Sequence, residues 1–415
     1  MKKNVVKNTT MLYLMSAAKL VLPLISVPYL SNVLSTEAYG SVVYVKSIMT
    51  FMQIIIDFAF GLSGTKDIVR ARDSKEKTEK EASSIFTAQF FLACGCFIVL
   101  LGMVFIMPVF DGVELYTLLT FGPCFLSIFI MNYLFRGLEK MEVVTLRFVI
   151  MKSISTALTF VFIHGDPDLL WIPVLDIFSS MIAILLVRLE IKKYGYQIRL
   201  SGFKTAWKKL TEAAVYFISN MASTAFGALN TFLIGVFMTK TDTAYWGNAM
   251  ILISAILALY DPIIDGLYPE MMRSKDLNYI KKVLAIFMPV IAAGCVFSFY
   301  AAPFVLGIFG KEKYISAIPV FRRLIPVLFF SFPAQMLGWP TLGAINRSKE
   351  TTASTIIAAI FQCTGLFVLG ITNHFNLITI ATLRCVTEFF MMCVRLTFVL
   401  RFRDEFNRGE KKAAI

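Results

Sequence analysis

Twelve apolar stretches, each long enough to cross a lipid bilayer as a helix, recur along this chain of 415 residues. Hydrophobic residues make up 57% of the sequence and charged residues only 16%. Average soluble domains are about 45–50% apolar and about 25% charged, so a soluble fold could not bury this much apolar surface. The sequence predicts an all-α polytopic membrane protein of about 12 transmembrane helices, with almost no domain outside the bilayer.

The predicted spans form two sets of six on either side of a polar segment at residues 188–212. The first set runs over residues 9–31, 41–62, 84–108, 115–135, 143–163 and 169–187, and the second over residues 213–238, 244–266, 283–309, 318–342, 353–372 and 377–400. We predict an N-terminal six-helix bundle at 1–190, a cytoplasmic linker at 191–212, a C-terminal six-helix bundle at 213–400 and a cytoplasmic tail at 401–415. An even number of spans in each half predicts a pseudo-two-fold axis along the membrane normal.

The distribution of basic residues predicts the orientation of the chain. Of its 40 Lys and Arg, 29 lie in the N-terminus, the even-numbered connections and the C-terminal tail, and only 3 in the odd-numbered connections. This asymmetry places both termini in the cytoplasm. It also explains the net charge of +13, so we do not expect the protein to bind nucleic acid. The first span contains Lys19, Pro23 and Pro28, and we interpret it as a retained helix, not as a signal peptide.

Motifs for catalysis and for metal binding are missing from the sequence. The seven Cys lie inside apolar stretches without a CxxC pair, so we predict neither a disulfide framework nor a zinc site. The sequence contains no P-loop, HExxH or GxSxG motif. We therefore expect no enzyme activity, no catalytic residues, no metal and no cofactor. Transport would then depend on the membrane potential or on a gradient of H⁺ or Na⁺.

Eight Lys and Arg residues lie within the predicted spans, where an ionised side chain costs about 2.5–3.5 kcal/mol on insertion scales. Arg147, Arg322, Arg323 and Arg395 are close to span ends. We expect these four side chains to extend to the membrane interface, with their aliphatic parts along apolar surface.

Two further cations have carboxylates at matching positions. Lys152 and Asp176 lie at similar depths on adjacent antiparallel spans, and Arg384 and Glu388 are four residues apart on the last span. We predict both pairs to be structural ion pairs.

Lys19 and Lys46 have no such partner in the sequence. In span 2, Lys46 is followed by Thr50, Gln53 and Asp57, at a spacing that places all four on one helical face. Spans 1, 7 and 8 also carry polar faces. Since polar faces in membrane helices turn toward protein or water, we predict that spans 1, 2, 7 and 8 line one cavity between the halves. The alternative for their Ser, Thr and Asn residues is that they only hold helices together.

A cationic cavity within the membrane predicts an anionic substrate, with a phosphate or pyrophosphate head group as the natural candidate. The candidate substrate-binding residues are Lys19, Lys46, Gln53, Asn220 and Asn230. The candidate hinge residues are Pro23 and Pro28, because proline interrupts the hydrogen bonding of a helix and allows the bending that alternating access needs. The candidate ion-coupling residues are Asp57 and Asp261, which could instead cap a helix or pair with lysines at the cytoplasmic end.

Several short segments resemble a known family. In the first half these are PYLSNVLSTEAYG at 28–40, DFAFG at 57–61, KDIVRAR at 66–72 and FRGLEKM at 135–141; in the second half they are LNTFLIG at 229–235, AYWG at 244–247, LYPE at 267–270 and RLIP at 323–326. They are similar to bacterial polysaccharide (O-antigen-type) flippases of the multidrug/oligosaccharidyl-lipid/polysaccharide (MOP) exporter superfamily. The chain departs from the family at 32–35, where NVLS replaces the frequent RVLG, and spans 7 and 8 contribute no cation.

The resemblance implies two six-helix bundles and a cationic lumen lined largely by spans 1, 2, 7 and 8. It implies export of undecaprenyl-(pyro)phosphate-linked oligosaccharide from the cytoplasmic to the outer leaflet of the bacterial cytoplasmic membrane. The expected partners are this isoprenoid-linked substrate and membrane lipids, with a polysaccharide polymerase as a further candidate, and we expect a monomer.

Three alternatives remain open from the sequence. A drug or cation antiporter of the same superfamily would use Asp57 and Asp261 as its binding carboxylates. A membrane-embedded polysaccharide polymerase or glycosyltransferase would be expected to carry catalytic groups in a large outer loop, and the predicted outer loops are all short. A purely structural scaffold would leave Lys19 and Lys46 unexplained.

Overall fold

The structure, a computed structural model, describes residues 2–406, which form α-helices and short 3₁₀ segments with no β-strand among them. The helices are α1 Lys2–Val33, α2 Thr36–Asp57, α3 Ser63–Ala71, α4 Lys75–Ile106, α5 Glu114–Leu126, α6 Asn132–Gly137, α7 Met141–Phe162, α8 Trp171–Lys193, α9 Phe203–Phe237, α10 Lys240–Leu257, α11 Asp261–Ser274, α12 Leu277–Ile308, α13 Ile318–Met336, α14 Ser348–Ile371 and α15 Leu377–Arg401. The predicted all-α fold is confirmed, and the protein is a multi-pass membrane protein.

Eleven helical segments among the described residues are long and apolar enough to cross a membrane. The seventh predicted span corresponds to α9, whose described apolar stretch is the shorter segment Gly227–Phe237. Polar side chains set several helix starts. Ser35 accepts a hydrogen bond from the backbone N–H of Ala38 at the start of α2, and Asn376 and Thr379 form a reciprocal capping box at the start of α15.

Four spans contain an interruption at a defined position. In the first half, Phe58 and Ala59 adopt positive φ angles between α2 and α3, and Met131 does so between α5 and α6. In the second half, residues 258–260 separate α10 from α11, and a π-helical turn at Leu337–Leu342 ends the span of α13. Spans 2 and 8 and spans 4 and 10 are therefore interrupted alike, as expected if the two halves repeat one pattern.

Arg147 compensates for the interruption of span 4. Its side chain is only 4% exposed. Its Nη1 donates to the carbonyl of Ile130 at 2.8 Å, and its Nη2 donates to Oδ1 of Asn132. The prediction that Arg147 extends to the membrane interface is wrong. Because the helix is interrupted at Met131, backbone and side-chain acceptors inside the protein lack helical N–H donors. The buried guanidinium of Arg147 donates to them instead.

Arg395 has the same role at the end of α13, and the interfacial placement predicted for it is also wrong. It is 7% exposed, and it donates to the carbonyl of Ala334 at 2.7 Å and to the hydroxyls of Ser354 and Thr355, each at 3.0 Å. Arg323 remains exposed and donates to the Thr382 hydroxyl at 2.7 Å.

The π-helical turn follows from the sequence. Pro340 has no N–H to donate to the carbonyl of Met336, four residues earlier. The hydroxyl of Thr341 takes its place and donates to that carbonyl at 2.7 Å. The turn is buried, so this substitution of donors is needed for the span to end within the protein.

The chain divides into two compact units, Met1–Lys240 and Thr241–Ile415. The predicted linker at 191–212 contains the end of α8, an extended segment and the start of α9, which packs against α2 and α4. The extended segment is fixed along α4 by hydrogen bonds from its backbone. The donors are the N–H groups of Gln197, Arg199 and Ser201, and the acceptors are the side chains of Glu79, Ser83 and Thr87.

A charge cluster fastens the start of α9 to the same unit. Lys209 is 12% exposed and its Nζ lies 2.8 Å from Asp67, 2.6 Å from Glu81 and 3.2 Å from Glu212. Partial burial favours the neutral amine, but the hydrogen bonds to Asp67 and Glu81 outweigh it and hold the pKa of Lys209 above its usual value. The cluster joins α3, α4 and α9.

Helix α2 approaches α9 and the start of α10 closely at two glycines, Gly235 and Gly40. A Cβ at Gly235 would lie 1.9 Å from the buried ring of Tyr44, and one at Gly40 would lie 1.7 Å from the carbonyl oxygen of Lys240. Only hydrogen fits at either position. Small residues at such contacts let membrane helices pack closely.

We expect Gly235→Ala to lower the melting temperature of the purified protein, because the added methyl group displaces Tyr44 and such overpacking costs about 1–3 kcal/mol. Gly227→Ala is the matched control in α9, where a Cβ would meet nothing within 4 Å and alanine favours the helix by about 0.8–1.0 kcal/mol. Thermal unfolding in detergent would measure both variants. Equal melting temperatures for the two would contradict the close approach of α2 and α9.

Candidate functional site

A cavity of about 170 Å³ lies among α1, α2, α7 and α8 in the first unit, and we call it the lysine cavity. Its charged lining residues are Lys19, Lys46, Lys152 and Asp176. The polar groups Ser26, Ser155, Thr156 and Thr159 and the apolar residues Ala18, Leu22, Pro23, Val27, Leu30, Phe148 and Ile172 complete the lining. The two lysines that sequence analysis left without a partner therefore face the same space.

Lys19 enters the cavity from α1. Its ammonium lies 5.7 Å from the centre of the Phe148 ring on α7, within the range of a cation–π interaction. Pro23, four residues later, has no N–H to bond the Lys19 carbonyl. Helix α1 nevertheless continues through Pro23 and Pro28 to Val33. Lys19 thus has both an ammonium group in the cavity and a backbone carbonyl that lacks its usual helical donor.

Lys46 enters from α2, and it is exposed although most of that helix is buried. Among the carboxylates that the structure describes, none lies within 4 Å of the Lys46 or Lys19 ammonium. The cost of holding ionised lysines among membrane-spanning helices is therefore not offset by direct ion pairs. An anionic ligand would offset it.

Lys152 and Asp176 join α7 to α8 in the wall of the cavity. Lys152 Nζ lies 3.5 Å from Asp176 Oδ1, and the Ser155 hydroxyl donates to the same oxygen at 2.7 Å. The sequence prediction treated this pair as a separate structural feature, whereas the pair lines the cavity with Lys19 and Lys46. Three ammonium groups face one carboxylate, which leaves two positive charges in excess.

The helices around the lysine cavity differ from those grouped by sequence. Its lining comes from predicted spans 1, 2, 5 and 6, whereas the polar-face argument grouped spans 1, 2, 7 and 8. The signal for span 5 was present in the matching depths of Lys152 and Asp176, which place α7 beside α8. The contact of α1 with α7, which brings Lys19 to this pair, has no counterpart in the sequence pattern.

A second cavity, of about 260 Å³, lies at the opposite end of α2 from its start, and we call it the Asp57 cavity. Asp57, the last residue of α2, lines it together with Arg136, Asn132, Gln89 and Asn220. Two predicted site residues, Asp57 and Asn220, therefore meet here and not in the lysine cavity.

Gln53 connects α2 to the interrupted span 4 beside the Asp57 cavity. Its Nε2 donates to Asp57 Oδ1 at 2.9 Å and to the Ser127 hydroxyl at 3.0 Å. The hydroxyl of Ser127 donates in turn to the carbonyl of Cys124 at 2.6 Å. The arrangement fixes the orientation of the Asp57 carboxylate, and Gln53 does not line the lysine cavity.

The remaining predicted residues lie elsewhere. Asn230 is 1% exposed on α9, and Asp261 begins α11 with an exposed side chain after the interruption of span 8. In the second unit, Arg384 Nη2 lies 2.5 Å from Glu388 Oε1, and both side chains are buried. These placements bring none of the three features to the lysine cavity.

The chain matches a sequence model of the family described as "Polysaccharide biosynthesis protein" over residues 5–275, more than half of its length. The chain belongs to this family. Two curated relatives carry the name "Putative O-antigen transporter". One, from Escherichia coli (strain K12), is 22% identical over 402 residues, covering 95% of this chain and 96% of the relative. The other, from Shigella dysenteriae, is 29% identical over 326 residues, covering 75% and 79%.

Solved structures of the MOP superfamily share the fold of this family member. The lipid II flippase MurJ in an inward closed conformation matches with a TM-score of 0.72 at 13% identity, covering 95% of this chain and 87% of MurJ. An inward-facing multidrug resistance MATE transporter of the MOP superfamily matches with a TM-score of 0.63 at 15% identity, covering 94% and 98%. These likenesses show that the chain has the fold of these transporters.

We expect Asp176→Asn to strengthen the binding of inorganic pyrophosphate to the purified protein by roughly tenfold, or about 1.4 kcal/mol. The reason is that the variant removes the carboxylate that repels an anion in the lysine cavity. Isothermal titration calorimetry at two salt concentrations would measure it. Glu114→Gln, which removes an exposed carboxylate at the start of α5, is the control for the change in net charge. Weaker binding to Asp176→Asn, or an equal gain in the control, would contradict an anion site in this cavity.

Proposed function

We propose that this protein is a flippase that carries undecaprenyl-(pyro)phosphate-linked oligosaccharide from the cytoplasmic to the outer leaflet of the bacterial cytoplasmic membrane. The observation that carries the proposal is the lysine cavity, where Lys19, Lys46 and Lys152 face one carboxylate, Asp176, among membrane-spanning helices. The names of the relatives, O-antigen transporters, and membership of a polysaccharide biosynthesis family agree with it.

The charge of the lysine cavity selects the substrate class. An ammonium group acts as a point charge toward phosphate oxygens, and hydrogen bonds to charged groups contribute about 1.5–3 kcal/mol each. Two positive charges in excess match one pyrophosphate better than a neutral sugar. The hydroxyls of Ser26 and Thr156 provide further donors in the same lining. The oligosaccharide itself would require more space than this cavity offers, so only the head group is assigned to it.

The driving force follows from the charge of the cargo. If the cargo carries about two negative charges, an inside-negative potential contributes roughly 4.6 kcal/mol per 100 mV to outward movement. Alternating access would use α1, in which Pro23 and Pro28 weaken the helical hydrogen bonding near Lys19. Asp57 is the candidate for taking up H⁺ or Na⁺ during the return step, because it lines a cavity of its own and accepts from Gln53; Asp261 is the second candidate.

A cation antiporter is the main alternative, since multidrug transporters share this fold. In the Asp57 cavity, the cation Arg136 lies alongside the carboxylate, which offsets the attraction that a drug cation would need. The lysine cavity repels cations outright. The lysine cavity therefore favours an anionic cargo, and the Asp57 cavity offers a drug cation no net negative charge.

We expect the double variant Lys19→Ala/Lys46→Ala to reduce flipping of a phosphate-linked isoprenoid oligosaccharide more than tenfold, because it removes two charged contacts to the head group. Protein reconstituted in vesicles, with a leaflet-selective probe for the sugar, would measure the rate. Lys75→Ala/Lys204→Ala removes two exposed cations outside the cavity and should leave the rate unchanged. Efflux of a cationic dye is measured in parallel. Dye efflux by the wild type without flipping, with that efflux retained in Lys19→Ala/Lys46→Ala, would replace the flippase by the antiporter.

We expect flipping by the wild type to slow when the H⁺ and Na⁺ gradients are collapsed while the membrane potential is held. If Asp57 couples the ion, Asp57→Asn should be insensitive to that collapse, whereas Glu37→Gln, an exposed carboxylate at the start of the same helix, should behave like wild type. The same vesicles with ionophores would provide the measurement, and Asp261→Asn would be compared in parallel. Wild-type flipping that is independent of both gradients would remove ion coupling from the mechanism.

A further inference from the structure

The second unit contains a groove of about 690 Å³ between the start of α12 and the end of α15. Eight of its lining residues follow one face of each helix, at positions 277, 280, 281 and 284 of α12 and at 396, 399, 400 and 403 along and just beyond α15; Asn278, Leu337, Asp404 and Phe406 complete the lining. This spacing of three and four residues is that of a single helical face. The volume lies within the range of ligand-binding cavities, about 300–1,000 Å³. We call this feature the α12–α15 groove.

The groove is apolar along its length and charged at one end. Leu284, Leu337 and Leu396 line it away from the helix ends, and Lys281 and Arg403 line it where α12 begins and α15 has ended. Both of those connections belong to the side that the distribution of basic residues predicts to be cytoplasmic. An apolar trough with cations at the membrane interface fits a molecule with a hydrocarbon chain and an anionic head.

The charged end of the groove is available to such a head group. Lys281 and Arg403 are exposed, and none of the described carboxylates lies within 4 Å of either cation. Asp404 also lines this end and leaves one net positive charge. The start of α12 adds no further positive charge, because the Asp276 carboxylate caps it and accepts from the backbone N–H of Asn278 at 2.8 Å. A phosphate placed between Lys281 and Arg403 would meet donors from both helices.

We propose that the α12–α15 groove binds a membrane phospholipid with an anionic head group, with its phosphate between Lys281 and Arg403 and one acyl chain along Leu284 and Leu396. Basic pockets between transmembrane helices on the cytoplasmic side are suited to anionic lipid head groups. The acyl chain covers apolar surface that the protein itself leaves open. This site lies in the second unit, and it does not depend on what the lysine cavity transports.

The remainder of the chain is a poorer occupant than a lipid. Residues 407–415 have the sequence NRGEKKAAI, with three basic residues and one acidic residue. A segment of this composition would bring positive charge to Lys281 and Arg403 and has too few apolar side chains to cover the groove. Charge and hydrophobicity both favour phospholipid.

Binding at this site would stabilise the interrupted end of α13. Leu337, on the wall of the groove, is the first residue of the π-helical turn whose neighbouring carbonyl is held by Arg395. Ile280 and Val399, also on the wall, belong to the hydrophobic core of the second unit. An acyl chain packed against these residues therefore adds contacts to the part of the unit that the Pro340 interruption weakens.

Native mass spectrometry of the full-length protein, purified from nanodiscs of phosphatidylglycerol and phosphatidylethanolamine, tests the proposal. We expect the wild type to retain phosphatidylglycerol and the variant Lys281→Gln/Arg403→Gln to retain at least fivefold less. Lys282→Gln/Arg401→Gln removes two exposed cations beside the groove and should retain as much as wild type. Leu284→Trp, which fills the trough without changing charge, should also lower retention. Melting temperatures without added phosphatidylglycerol verify that each variant is folded.

Four outcomes would overturn the proposal. Unchanged retention by Lys281→Gln/Arg403→Gln would exclude these cations, and an equal loss in the control pair would reduce the effect to general surface charge. Increased retention after deletion of residues 407–415 would identify the tail as the native occupant. Displacement of phosphatidylglycerol by equimolar undecaprenyl phosphate would assign the groove to the isoprenoid carrier.

Discussion

The low dielectric of the membrane interior governs this structure, because each buried backbone group and each charge there must be satisfied within the protein. Most of the chain meets this requirement by being helical. Where spans 4 and 10 are interrupted, the requirement falls on side chains, and Arg147 and Arg395 supply the missing donors. Each interruption and its buried arginine therefore depend on each other. Without the guanidinium the freed carbonyls would lack donors inside the membrane, and without those acceptors the buried guanidinium would be too costly in free energy.

Arginine and lysine have different roles in these spans. The planar guanidinium has five donors in a fixed fork, so a single Arg395 bonds a carbonyl of α13 and two hydroxyls of α14. Lysine presents a mobile point charge, and Lys19, Lys46 and Lys152 all face one cavity. The donors of Arg147 and Arg395 are used in hydrogen bonds within the protein, whereas the lysines leave positive charge in the cavity that a ligand can contact. Among the described residues that line the cavity, Asp176 is the carboxylate that reduces that charge, and it also fixes the position of Lys152.

Charged side chains of the first unit line two separate cavities. The lysine cavity has a positive excess, while the Asp57 cavity places a carboxylate beside Arg136. Helix α2 contributes to both, through Lys46 and Asp57, and Gln53 links its end to span 4. A movement of α2 would therefore change both cavities together. This shared helix provides a physical route by which occupation of one cavity affects the other.

Eleven of the twelve predicted spans, the all-α fold and the lack of a direct ion-pair partner for Lys19 and Lys46 among the described side chains could be predicted from the sequence, because hydropathy and the cost of burying charge act locally and leave a periodic pattern. The pairing of Lys152 with Asp176 was also within reach, since depth along antiparallel helices can be counted. The burial of Arg147 and Arg395 could not be predicted, because an arginine near a span end can equally well extend to the membrane interface or donate to the carbonyls of an interrupted helix. Tertiary packing alone decided which helices surround the lysines, and that Asp176 lines their cavity while Gln53 does not. Polar helix faces of similar character do not specify which neighbouring helix they contact.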